Sequence, residues 1–186
     1  MNSALLIIDI QNDYFPGGKM ELEGSIEAGL RAKQILSICR ENSVPVIHVQ
    51  HFSNRPGATF FIPGTTGVEI NECVKPLENE LIIRKNFPNS FRNTGLMDYL
   101  KTNSIDTLVI TGMMTHMCID ATTRAAFDHG FNCILVGDAC ATRTLTFNGK
   151  SVPAENVHNA FLAAIGSVYA KVIRAEDILT GKTEVK

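Results

Sequence analysis

Ala4-Leu5-Leu6-Ile7-Ile8 is apolar at every position and stops at Asp9. A strand that is apolar on both faces is covered on both faces, as central strands of parallel sheets are, so this stretch decides the fold class. Working outward, further aliphatic runs lie at 45–49, 81–83, 108–110, 133–136 and 168–173, and helical patterns separate them. Between the first two, Ala28, Ala32, Ile35 and Cys39 share one face of a helix that Ser25 can cap. Residues 94–101, 115–129, 151–165 and 175–180 supply the other helices, and Gly130 and Gly166 end the ones before the fifth and sixth strands. Strand and helix alternate. That order predicts an α/β fold with a six-stranded, mostly parallel sheet and helices on both faces.

The chain has 186 residues, close to the ~150 of a typical domain, so 1–186 is expected to form one domain. Apolar residues make up 45% and charged residues 19%, the latter below the ~25% of an average globular protein, which excludes global disorder. Seventeen basic against nineteen acidic side chains leave a net charge of -2 with no basic run, so nucleic acid is not an expected partner. The apolar stretch 4–8 is too short for a membrane span and lacks the basic flank of a signal peptide, giving the expectation of a cytoplasmic protein with no membrane partner. Cysteines at 39, 73, 118, 133 and 140 are odd in number and form no C-x-x-C, so neither a disulfide framework nor a thiolate zinc site is indicated.

In an open parallel sheet, ligands bind beyond the carboxyl ends of the strands. Asp9 ends the first strand, Lys85 lies just past the third, Cys118 follows the fourth, and Asp138 and Cys140 follow the fifth. An acid, an amine and a thiol meeting there make a workable hydrolytic set. Thr115 can cap the next helix and place Cys118 in its first turn, where the helix field favours thiolate; the alternative is a buried small hydrophobe. Cys140 is a rival, but 141–146 reads as loop and offers no helix start. Cys39 and Cys133 read as packing residues. Asp9 is either a reactive carboxylate or a ligand for loop N–H groups, and Lys85 either its partner or a solvated loop lysine.

Asn148-Gly149-Lys150-Ser151 ends like a phosphate-binding loop, but Thr144 stands where the first glycine is required. His48 and His51, three apart on a strand, point to opposite faces, and no Asp-x-His precedes them, so no metal site is expected. Residues 52–79, rich in Pro and Gly, form a connection long enough to carry function.

Several ordered motifs together resemble the isochorismatase-like cysteine hydrolases, whose relatives include nicotinamidases and N-carbamoylsarcosine amidohydrolases. They are Leu6-Ile7-Ile8-Asp9-Ile10-Gln11-Asn12-Asp13-Tyr14-Phe15, Pro63-Gly64-Thr65, Lys85 with Ser90-Phe91 and Thr94-Gly95-Leu96, Thr111-Gly112-Met113-Met114-Thr115-His116-Met117-Cys118, and Thr122-Thr123-Arg124-Ala125-Ala126. The resemblance implies a three-layer sandwich and a triad of Asp9, Lys85 and Cys118. It also implies a cis peptide between Met113 and Met114 that aims the Met114 N–H, with that of Cys118, at an oxyanion. The implied activity is cysteine-dependent hydrolysis of a C–N bond in a small molecule, with no cofactor, in a homodimer or larger homo-oligomer. The missing Asp-x-His disfavours nicotinamide. Phe15, Phe60, Phe61 and His116 are the expected substrate-binding wall. A vinyl-ether hydrolase and a non-catalytic scaffold of the same fold are the alternatives.

Overall fold

The computed structural model describes residues 2–186. Six strands, β1 (Ser3–Ile8), β2 (Val46–His51), β3 (Leu81–Lys85), β4 (Thr107–Met113), β5 (Asn132–Ala141) and β8 (Lys171–Ile173), form one sheet in the order β3-β2-β1-β4-β5-β8. Every neighbouring pair is parallel. From β1 the chain steps outward to β3, then returns to the other side of β1 to place β4. The order reverses between β1 and β4, and such a reversal opens a crevice at the carboxyl ends.

The unbroken apolar run of β1 has the predicted cause. Leu5 and Ile7 pack with Ala32, Ile35, Leu36 and Cys39 of α1 (Ser25–Glu41) and Ile178 of α5 (Ala175–Leu179). Ala4, Leu6 and Ile8 face the other way. They meet Leu96 and Leu100 of α2 (Leu96–Thr102), Ala126 of α3 (Asp120–Asp128) and Ile165 of α4 (Ala154–Val168). The result is three layers, with apolar residues of the sheet covered on both sides. At Gly112 the backbone adopts φ +132°, and a Cβ there would collide with the Ile8 carbonyl oxygen. Only glycine lets β4 lie this close to β1.

Several boundaries differ from the sequence reading. Residues 145–152 hold an antiparallel hairpin, β6 (Leu145–Phe147) and β7 (Lys150–Val152), where loop and helix start were expected. Pro153 then takes the N-cap position, so α4 begins at Ala154 rather than at residue 151. That helix runs past Gly166 to Val168, which shortens the last strand to an edge of three residues. β5 extends to Ala141 through a register shift, so Asp138 and Cys140 lie within the strand rather than after it. Ser25 is the first residue of α1, not its cap; Gly24, left-handed at φ +75°, holds that position. No helix among the described residues is long and apolar enough to cross a membrane.

Candidate active site

Asp9 leaves the end of β1 with φ +53° and a fully buried carboxylate. Lys85 is the last residue of β3, two strands away, in register with His51 at the end of β2. Its side chain spans that gap. The Lys85 Nζ donates to Asp9 Oδ2 at 2.7 Å and to Cys118 Sγ at 3.1 Å, and lies 3.0 Å from His51 Nδ1. An ammonium has three hydrogens and these are three acceptors. Burial works against its charge, but the Asp9 carboxylate and the hydrogen bonds to Asp9 and Cys118 hold the lysine above its ordinary value. His51 is the reverse case: burial pushes it down to about 4, so the ring is neutral and offers Nδ1 as acceptor.

Cys118 stands in a π turn, Thr115–Ile119, between β4 and α3. The expected cap is absent. Met114 occupies the N-cap position, while the Thr115 hydroxyl donates to the Ala141 carbonyl and pairs with His158. Nor is the thiol made acidic: burial first, then the Asp9 carboxylate, push it up, and Lys85 only partly offsets them. Desolvation therefore overrides the field of the helix start, and the proton rests on sulfur. The second Asp9 oxygen, Oδ1, is buried without a hydrogen-bond partner. Acid, thiol and imidazole lie with donor atoms within 4.8 Å of one another, close enough to hold a metal ion. An ion bound by all three would have to displace Lys85, which contacts each of them.

Cys118, 5% exposed, lines a cavity of about 230 Å³. Tyr14, Phe60, Phe61 and Phe87 form its aromatic walls, and Ser53, Asn54, Arg55 and Asn86 bring polar groups. Met114 also lines it. The Met113–Met114 peptide is cis, and among the described residues the Met114 N–H donates no hydrogen bond within the chain.

Of the four residues expected to form the substrate-binding wall, Phe60 and Phe61 line this cavity, and Phe15 and His116 do not. A one-turn 3₁₀ helix, Asn12–Tyr14, separates adjacent rings: Tyr14 turns into the cavity and Phe15 packs against Gly29 of α1. His116 Nδ1 pairs with the Thr142 hydroxyl and its ring meets Phe161 edge-on, so the next residue, Met117, lines the cavity instead. Cys140 faces the Val136 carbonyl.

Three polar residues without a sequence-assigned role hold the site in shape. Gln11 receives the His51 N–H at 2.8 Å and returns its amide to the His51 carbonyl at 2.9 Å, fixing that residue by its backbone. His51 itself lines the cavity. Asp13 accepts the Phe61 N–H at 2.6 Å and the Lys19 N–H at 3.1 Å. The loop that carries Phe60 is closed at its base by Ser53 N–H to Phe61 carbonyl, 2.9 Å. Phe61 there is left-handed, φ +56°, a conformation costly for a bulky residue that the Asp13 bond helps to hold. Buried Gln and Asp in the motif Gln11-Asn12-Asp13-Tyr14 were the available signal, since such groups are buried only with partners.

The Isochorismatase domain family model matches residues 3–177. This chain belongs to the isochorismatase family. Within that family it is 53% identical, over 96% of its length and 99% of the relative's, to the uncharacterized isochorismatase family protein YddQ of Bacillus subtilis. A solved structure from Oleispira antarctica superposes with TM-score 0.93 at 45% identity, covering 97% of both chains. The maleamate amidohydrolase of Pseudomonas putida is 28% identical over 95% of this chain and 84% of its own.

Proposed function

We propose that this isochorismatase-family hydrolase cleaves an amide-type C–N bond of a small molecule through a thioester on Cys118. The observation that carries the reading is Lys85, buried and bonded at once to Asp9 and to Cys118, the one of the three that lines the cavity. One Asp9 oxygen is thus taken and the other is free to receive a proton. A relative that is named as an amidohydrolase supports the same bond type.

In this mechanism Asp9 takes the thiol proton as sulfur forms its bond to the amide carbon, and the C=O electron pair moves onto oxygen. The N–H groups of Met114 and Cys118 receive that oxyanion. Collapse breaks the C–N bond while protonated Asp9 passes its proton to the leaving nitrogen. Ammonia or an amine departs and a thioester remains. Asp9 then takes a proton from water as it attacks the thioester, the C–S bond breaks, and the proton returns to sulfur as the acid leaves. The high thiol pKa fits this scheme, because sulfur is deprotonated only as it attacks, and a poorer leaving thiol is a stronger nucleophile. Lys85 positions Asp9 through the 2.7 Å bond to Oδ2.

The direct test is acid quenching of turnover with small primary amides, followed by mass spectrometry of the intact chain. A mass increase equal to the acyl group, lost in Cys118→Ala together with ammonia release, is the expected result. Undiminished hydrolysis by Cys118→Ala would exclude the mechanism.

A further inference from the structure

The cavity is unevenly charged. Of the residues that line it, Arg55 alone bears a formal charge, His51 being neutral, and no acid lines it. The Arg55 guanidinium makes no ion pair or hydrogen bond among the described residues, although it lies at the edge of a chain that is acidic overall. Lys85, the other cation nearby, is already committed to Asp9 and Cys118.

Nor is Arg55 carried on loose chain. Its carbonyl accepts the Ala58 N–H at 3.2 Å, with Pro56 and Gly57 between them and Gly57 at φ +78°. Proline second and a left-handed glycine third is the pattern of a type II turn, which presets the backbone. The base of the loop is closed by Ser53 and Phe61, and Phe61 is tied to Asp13. Arg55, exposed to solvent on this preset turn, thus lines the same aromatic-walled cavity as Cys118.

We infer that Arg55 is a specificity determinant that recognises an anionic group, a carboxylate, on the substrate, at the end remote from the amide that Cys118 attacks. This rests on the amide-hydrolase reading above and narrows it to monoamides of short dicarboxylic acids. A guanidinium presents its N–H groups as a fork that matches both oxygens of a carboxylate. An anion placed there meets no opposing acid in the lining. A neutral amide of the same shape would fill the cavity and leave the guanidinium unpaired.

Binding separates this inference from the chemistry. Succinamate and its uncharged isostere 4-methylpentanamide are titrated calorimetrically into Cys118→Ala, which removes turnover, and into Cys118→Ala with Arg55→Gln or Arg55→Lys. Succinamate should bind about 10- to 100-fold more tightly than the isostere. Arg55→Gln should erase that preference, and Arg55→Lys should keep part of it. Equal binding of the two amides, a preference that survives Arg55→Gln, or no detectable binding of succinamate would overturn the role of Arg55. Failure of the hydrolase reading shows elsewhere, as absence of ammonia release and of a Cys118 acyl adduct in the unmodified protein, whatever the binding preference.

Discussion

Lys85 Nζ lies 2.7 Å from Asp9 Oδ2, across 76 positions of sequence, with both side chains shut off from solvent. Removing one member of such a pair leaves an uncompensated buried charge, which costs about 3–5 kcal/mol. Lys85→Met should therefore lower the melting temperature by roughly 10 °C. Asp9→Leu combined with Lys85→Met should recover much of the loss, since no buried charge is then left over. A Lys85→Met protein as stable as the parent by calorimetry would contradict this account of the pair.

The same pair governs the sulfur. Because the Asp9 carboxylate helps to hold the proton on Cys118 while Lys85 opposes it, Asp9→Asn should lower the thiol pKa. Iodoacetamide should then modify Cys118 about tenfold faster at pH 7 than in the parent, one pKa unit being a tenfold change in thiolate. Hydrolysis should meanwhile fall by about 100-fold or more, for want of the base. Time-resolved mass spectrometry reads the first effect. Unchanged or slower alkylation would show that the carboxylate does not control the thiol.

On the far side of the sheet end, Glu80 receives Arg40 at 2.7 and 2.8 Å and His48 at 2.9 Å. Burial would raise its pKa, but the bonds from Arg40, the Leu77 N–H and His48 bring it down to about 2, against an ordinary 4.5. A depressed carboxylate adds stability that is complete above its unfolded value and disappears as pH falls through the folded one. Glu80→Gln should thus cost about 1–3 kcal/mol at pH 7, discounted for the partly exposed Arg40, with the difference closing between about pH 4.5 and 2. Urea titrations across that range decide it, and a gap that stays constant would speak against the ion pair.

Gly112→Ala drives a methyl group into the Ile8 carbonyl where β1 and β4 part. A loss of at least ~3 kcal/mol, or failure to accumulate as folded protein, is expected. Gly95→Ala, which meets nothing within 4 Å and needs no left-handed backbone, is the control and should leave stability within about 0.5 kcal/mol. Circular dichroism melts of the two variants suffice.

Much of this was legible before any coordinates. The apolar run 4–8 announced a two-sided sheet, and it packs on α1 and α5 on one face and on α2, α3 and α4 on the other. Asp9, Lys85 and Cys118 were placed together from strand ends and motif resemblance, and they do touch. What failed was local direction. Periodicity cannot tell which of two adjacent aromatics a 3₁₀ turn sends inward, so Phe15 stood in for Tyr14. Nor does a Thr three residues before a Cys reveal a π turn, so the thiol was assigned a cap that Thr115 gives instead to Ala141 and His158. His51 was set aside because it lacked a metal-binding neighbour; its backbone clasp by Gln11 depends on a contact 40 residues away that spacing does not encode.

The closure of the 53–61 loop at its own base has a practical meaning. Since Ser53 and Phe61 pin its two stems and Asp13 holds the junction, rewriting residues 54–60 should leave the sulfur, the carboxylate and the ammonium where they are. Exchanging that segment is the natural way to redirect this scaffold toward other molecules without rebuilding its reactive centre.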